Sequence, residues 1–158
     1  LFIWNHQEEN ILLLKKIHET MSIDYYLIKS DPKEYSLQDL KRDRRTVWDG
    51  VHNYQAVNVI KQWKPGDLLF IYHSQGENKI VGLAKVVSYP RENKEDKRFS
   101  WVADIEFFQE LLSDMQVSLK EIKSSEKFQS FPLVRQPRLS VMFCPQEFVE
   151  WFFSLKKK

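Results

Sequence analysis

The chain has one cysteine, four glycines and four histidines in 158 residues, and its acidic and basic side chains nearly cancel. Each shortage removes a class of protein. With Cys144 alone there is no internal disulfide and no Cys-rich zinc site, which fits a reducing compartment. The four glycines fall in neither the Walker nor the dinucleotide spacing, so a Gly-rich phosphate loop is excluded. His6, His18, His52 and His73 show no metal-ligand spacing. Lys and Arg total 24 against 22 for Asp and Glu, and a formal net charge of +2 is too weak to imply nucleic acid by itself. The longest apolar runs are far too short for a membrane-crossing helix, and no segment joins a basic start, an apolar run and a small-residue cleavage site. The expectation is a soluble chain that stays inside the cell.

What the sequence does have is aromatic side chains, 14% of residues, on an ordinary background of 42% hydrophobic and 29% charged residues. Aromatics fill cores more often than they line sites, but they are also the residues that stack on bases. The length allows one domain, whose core can remove roughly 70% of the unfolded surface from water.

Residues 1–20 mix apolar and polar side chains without a clean period and precede Met21, which reads as the natural start of a domain at 21–158. The alternative is a helix around Ile11 to Ile17 packed on that domain. The β-forming run Ile23 to Ile28 predicts a strand, stopped by Ser30-Asp31-Pro32. Ser36 with Asp39 forms a capping-box pattern, and Tyr35 with Leu40 a hydrophobic staple, so a brief helix follows. Tyr54, Val57, Ile60 and Trp63 recur every three residues and predict a helix over 53–63 with Asn53 as N-cap.

Pro65-Gly66 supplies a turn into a buried strand over 67–73, paired as a hairpin with a second strand over 80–87 in which Gly82 marks a bulge or close backbone approach. The mixed charges at 91–98 read as a solvated loop, and the alternation from Trp101 to Phe107 as a half-buried strand. Ser118 and Glu121 repeat the capping box, with Val117 and Ile122 as staple. The strand-like LSVMF then leads to Pro145, expected at the first position of a C-terminal helix carrying Phe148, Trp151 and Phe152. This order predicts an α+β fold, a mostly antiparallel sheet or small barrel with helices at its ends.

No catalytic set emerges. His73 and Ser74 are adjacent on a strand and so point to opposite faces, which argues against a base and nucleophile sharing a proton. Asp31 and Asp49 lie in turn-like sequence, where Asp is favoured by its own backbone hydrogen bonding. Cys144 stands before a possible helix start but without a histidine partner reads as a core or cap residue. The KRDRR run is more informative, because Lys41, Arg42, Arg44 and Arg45 could make several phosphate contacts if they face one ligand.

One segment stands out: WDGVHNYQA at 48–56 sets an aromatic, a glycine turn and an Asn N-cap in a row at a helix start. With IKSDP at 28–32, PGDLLFIYHS at 65–74, IVGLAKV at 80–86 and RLSV at 138–141, in that order, it resembles the EVE family over about residues 22–153. The resemblance implies a compact PUA-like mixed β-barrel with short flanking helices, related to YTH and ASCH domains. It implies a pocket for a modified base, in DNA or RNA, with no cofactor, no metal and no established catalysis. Carried over, that pocket would use Lys29, Ser30, Trp48, Asn53, Tyr54, His73, Ser74, Leu139 and Ser140.

The chain departs from the family pattern where His52 and Val57 replace arginines and Asp31 replaces Glu. The expected protein is thus a non-enzymatic, monomeric reader of modified DNA or RNA, away from membranes, cytoplasmic or, in a eukaryote, nuclear. The alternatives are an ASCH-like hydrolase of modified nucleosides with Lys29 or His73 handling the proton, and a protein-interaction module that exposes Phe152 and Phe153.

Overall fold

The structure is a computed structural model that describes residues 22–155. The expectations placed on Met21 and on a helix around Ile11 to Ile17 lie outside the described residues. Strands β1 (Tyr25–Ser30), β2 (Arg45–Trp48), β3 (Leu68–His73), β4 (Lys79–Val86), β6 (Trp101–Glu110) and β8 (Val141–Cys144) form a sheet in the order β2-β6-β4-β3-β1-β8. The two-residue strands β5 (Arg91–Glu92) and β7 (Val117–Ser118) add to β6 and β4. β1 pairs in parallel with β3, and the other ladders are antiparallel. A parallel neighbour needs a crossover connection. Here the crossover runs through α1 (Leu37–Asp43), β2 and α2 (Tyr54–Ile60), and it carries most of the residues singled out above.

The sheet is curled. Helix α2 packs against both β6 and β8, which a flat sheet in this order would hold about 19 Å apart at roughly 4.8 Å per strand. Seven residues of helix span only about 10 Å, so the sheet must bend around α2 for both contacts to exist. Among the described residues the hydrogen-bonded path runs from β2 to β8 without a ladder closing it.

Local chemistry sets the helix starts. Ser36 and Asp39 form a complete capping box on α1, Ser118 and Glu121 another on α3 (Leu119–Ser124), and Asn53 accepts from the Ala56 N–H to cap α2. The α2 helix stops at Ile60, one turn short of the expected end, because the N–H groups of Gln62 and Trp63 bond three residues back in a tighter turn that still buries Trp63. Pro145 is the N-cap of α5 (Gln146–Ser154) and not its first residue. β2 and α4 (Pro132–Arg135) are elements the sequence pattern did not announce.

Most aromatics are structural. Phe70, Phe148 and Phe152 pack with Phe128 and Phe131 at ring separations of 4.5–5.9 Å, locking α5 onto β3. Phe152 is therefore buried while Phe153 is exposed, so half of the exposure that an aromatic interaction surface would need is absent. At Gly82 the expected close approach is real: a Cβ there would stand 2.6 Å from Leu37 Cδ2 and 2.7 Å from the Gln109 carbonyl oxygen. The ladder slips beside it, since Ile71 faces Gly82 but Tyr72 faces Ile80.

Candidate functional site

The parallel β1 strand ends beside β3, where the Ser30 carbonyl accepts from the Ser74 N–H and Lys29 N–H donates to the Ser140 carbonyl. The chain then turns sharply: Asp31 accepts from the N–H groups of Glu34 and Tyr35, and Ser30 Oγ donates to the Tyr35 carbonyl. Across from this turn, β2 ends at Trp48. Asp49 and Gly50 lead on to Val51, and Gly50 sits at φ +75°, a left-handed conformation that suits glycine. Between the two turns lies a cavity of about 400 Å³, lined by Lys29, Ser30, Asp31, Glu34, Tyr35, Thr46, Val47, Trp48, Asp49, Gly50, Val51 and Ser140.

Its electrostatics are specific. Asp31, Glu34 and Asp49 bring three carboxylates to the wall against a single cation, Lys29. The Lys29 ammonium donates to the Pro137 carbonyl at 2.8 Å, and partial burial lowers its pKa. Tyr35 donates to Asp43 at 2.9 Å; burial, followed by that bond, raises the Tyr35 pKa. Such a wall repels phosphate and offers acceptors to amino groups. Trp48 is half-buried, packed on the core from one side and facing the cavity from the other.

Of the nine expected pocket residues, Lys29, Ser30, Trp48 and Ser140 line this cavity. Asn53 and Leu139 line a neighbouring one. Tyr54 is 70% exposed and stacks on Phe99 at 5.1 Å. His73 is buried behind the turn, where its Nε2 accepts from the Leu37 N–H at 3.0 Å and its Nδ1 pairs with Glu77 at 2.8 Å. It thus ties α1 to β3, and Ser74 holds β1 through its backbone. Glu34, Tyr35, Thr46 and Asp49 were missed, although Glu34 and Tyr35 lie two and three residues beyond the IKSDP block and Asp49 lies inside WDGVHNYQA.

The departures also have places. Val57 is fully buried against the sheet, and His52 pairs with Asp96 at 2.6 Å, a bond that holds the Asp96 carboxyl below its ordinary pKa. In the KRDRR run, Lys41 holds Glu110, Arg42 holds Asp39 and Asp43, and Arg45 holds Glu106, whereas Arg44 lies over the Phe107 ring with no acidic partner among the described residues. Cys144 is buried, and burial drives its thiol pKa well up, which outweighs its place before a helix. Among the described residues no three His, Cys, Asp or Glu side chains gather to hold a metal, and no helix is long and apolar enough to cross a membrane.

A curled mixed sheet with short flanking helices and a walled cleft at the crossover defines a domain of the PUA-like class. The EVE domain model matches residues 24–155, and the chain belongs to the EVE domain family. Rat thymocyte nuclear protein 1 is 30% identical over 85% of this chain and 74% of its own length. A crystal structure of a Pseudomonas syringae protein shares 32% identity at a TM-score of 0.72, covering 83% of this chain and 98% of that one. Human THYN1 protein in complex with 5-methylcytosine-containing DNA matches at a TM-score of 0.75 and 27% identity, over 85% of this chain and 98% of that one. A Zymomonas mobilis ASCH protein, at 11% identity and a TM-score of 0.57, shares the fold alone.

Proposed function

We propose that this chain is a non-enzymatic reader of a modified base in DNA, with a methylated cytosine as its ligand. The observation that carries the reading is a base-sized cavity with a tryptophan on one wall and carboxylates where a cation would be needed to hold phosphate. The human relative in complex with 5-methylcytosine-containing DNA supports it. In this reading a flipped base stacks on Trp48, its exocyclic amino group donates to the carboxylates of Asp31, Glu34 or Asp49, and Ser30 and Ser140 bond the remaining edge. Carboxylates accept from the cytosine amino group and repel the carbonyl that thymine has in its place. Cytosine methylation is thereby separated from thymine, which carries the same methyl.

The energies set the scale. Flipping costs a few kcal/mol and stacking returns about 1–3 kcal/mol, so hydrogen bonds and phosphate contacts supply the rest. Apolar contact with one methyl group adds only about 1–3 kcal/mol. The phosphate contacts fall to Lys41, Arg42, Arg44 and Arg45, with Arg44 foremost because the other three are paired. Asn53, Tyr54, His73, Ser74 and Leu139 support the site from outside the first cavity. The protein works as a monomer, in the nucleus if its source is a eukaryote.

Titration of matched DNA and RNA oligonucleotides carrying cytosine, 5-methylcytosine or thymine at one position tests the assignment. The methylated DNA should bind tightest and the thymine strand weakest. Equal affinity for all three would overturn the reading, and a preference for the RNA set would reassign the partner. Incubation with modified nucleosides, monitored for product, should show no turnover. Of the two alternatives for a hydrolase's proton-handling residue, Lys29 lines the cavity and His73 does not.

A further inference from the structure

A second cavity of about 340 Å³ is lined by Asn53, Gln55, Gln136, Pro137, Arg138 and Leu139. One thickness of chain separates it from the first. Ser140 lines the first cavity and Leu139 the second, Val51 lines the first and Asn53 the second, and Lys29 of the first bonds the Pro137 carbonyl of the second. The charges are reversed across this wall: the first cavity has three carboxylates, whereas the second has none and gains Arg138.

Its polar groups are not consumed by the fold. Asn53 gives its Oδ1 to the cap of α2 and keeps its amide N–H₂, and among the described residues no hydrogen bond engages the side chains of Gln55, Gln136 or Arg138. The exposed cations around α1, in contrast, mostly hold carboxylates. Carboxamides present a donor beside an acceptor, the pattern that pairs with base edges, and Pro137 with Leu139 adds an apolar surface.

We propose that this second cavity receives the nucleotide next to the flipped base, with Arg138 on the phosphate joining the two and the carboxamides on the neighbour's edge. The inference rests on the first cavity being the base site. Nearby residues of the same two segments line both cavities, Leu139 with Ser140 and Val51 with Asn53, so neighbouring nucleotides of one strand can reach the two together. The site would therefore read a dinucleotide context and not an isolated base.

The test is a coupling measurement on the full chain with methylated DNA. Parent protein and the double variant Gln136→Ala, Arg138→Gln are each titrated with an oligonucleotide whose neighbouring base is intact and with one abasic there. Both substitutions are on a surface loop, and unchanged melting confirms the fold. The parent should bind the intact strand about tenfold more tightly than the variant does, and this advantage should shrink on the abasic strand, where the phosphate for Arg138 remains but the base edge is gone. Methyl discrimination without that coupling would overturn the second-cavity inference and leave the base reading standing. Equal binding of methylated and unmethylated DNA would mark failure of the base reading itself, and the inference would fall with it.

Discussion

Trp48 ends a strand with β6 on one side through the Ala103 register and, among the described residues, no strand on the other, so its ring divides its contacts between core and cavity. That position sets what removing it should do. Truncating a buried core aromatic costs about 3–5 kcal/mol of folding free energy. Trp48→Ala should cost less than that, while weakening binding to methylated DNA by about 1–3 kcal/mol. Chemical unfolding and fluorescence titration measure the two quantities. Unfolding of the variant, or parent-like affinity, would remove Trp48 from the stacking role. How far its neighbours fix a residue's direction decides where each residue implied by the resemblance lies. Lys29, Ser30, Trp48 and Ser140 flank turns whose direction is local, and they reached the cavity. His73 was not placeable from its neighbours, because the face it presents depends on the slip between Ile71 and Tyr72 against β4 and on its bond to the Leu37 N–H.

At the scale of elements, what could be read from the sequence was what local chemistry decides. Both capping boxes and the Asn53 cap formed as their residue spacing requires. β2 escaped notice because it is four residues long, begins with an exposed arginine, and finds its partner at Glu106, some 60 residues on. α4 escaped because its start has a proline but no side-chain cap. The α1 cap bears on the site, since this helix follows the turn that forms one cavity wall. Ser36→Ala should cost about 1 kcal/mol. The Asp39 carboxyl is held below its ordinary pKa, first by the Ser36 backbone N–H. A depressed folded pKa means the contribution is present above the unfolded value and lost as pH falls through the folded one. The parent should therefore lose this arm of the box in acid below the usual carboxylate range, and the stability gap between parent and Asp39→Ala should narrow there. A gap that stays constant down to that range would show that the Asp39 arm of the box contributes nothing.

For the molecule as a whole, the weak net charge of +2 and the pairing of its cations decide how binding should respond to salt. Phosphate contacts release counterions, with a slope near −0.9 per contact in log affinity against log salt for duplex DNA. With Lys41, Arg42 and Arg45 already holding carboxylates, the KRDRR run offers little beyond Arg44 without breaking pairs, and its share of the slope should be small. Glu106→Gln turns this into a sharp expectation, because it frees Arg45 and removes a negative charge from the same edge. Affinity should rise for methylated and unmethylated DNA by the same factor, and the salt slope should steepen by about one unit. Arg44→Glu should do the opposite, lowering both affinities equally while leaving the methyl preference intact, since phosphates carry no sequence information. Isothermal titration across a salt series measures slope and ratio together. If Glu106→Gln leaves both unchanged, the β2–β6 edge is not on the path of the backbone, and the KRDRR run is only a solvated face.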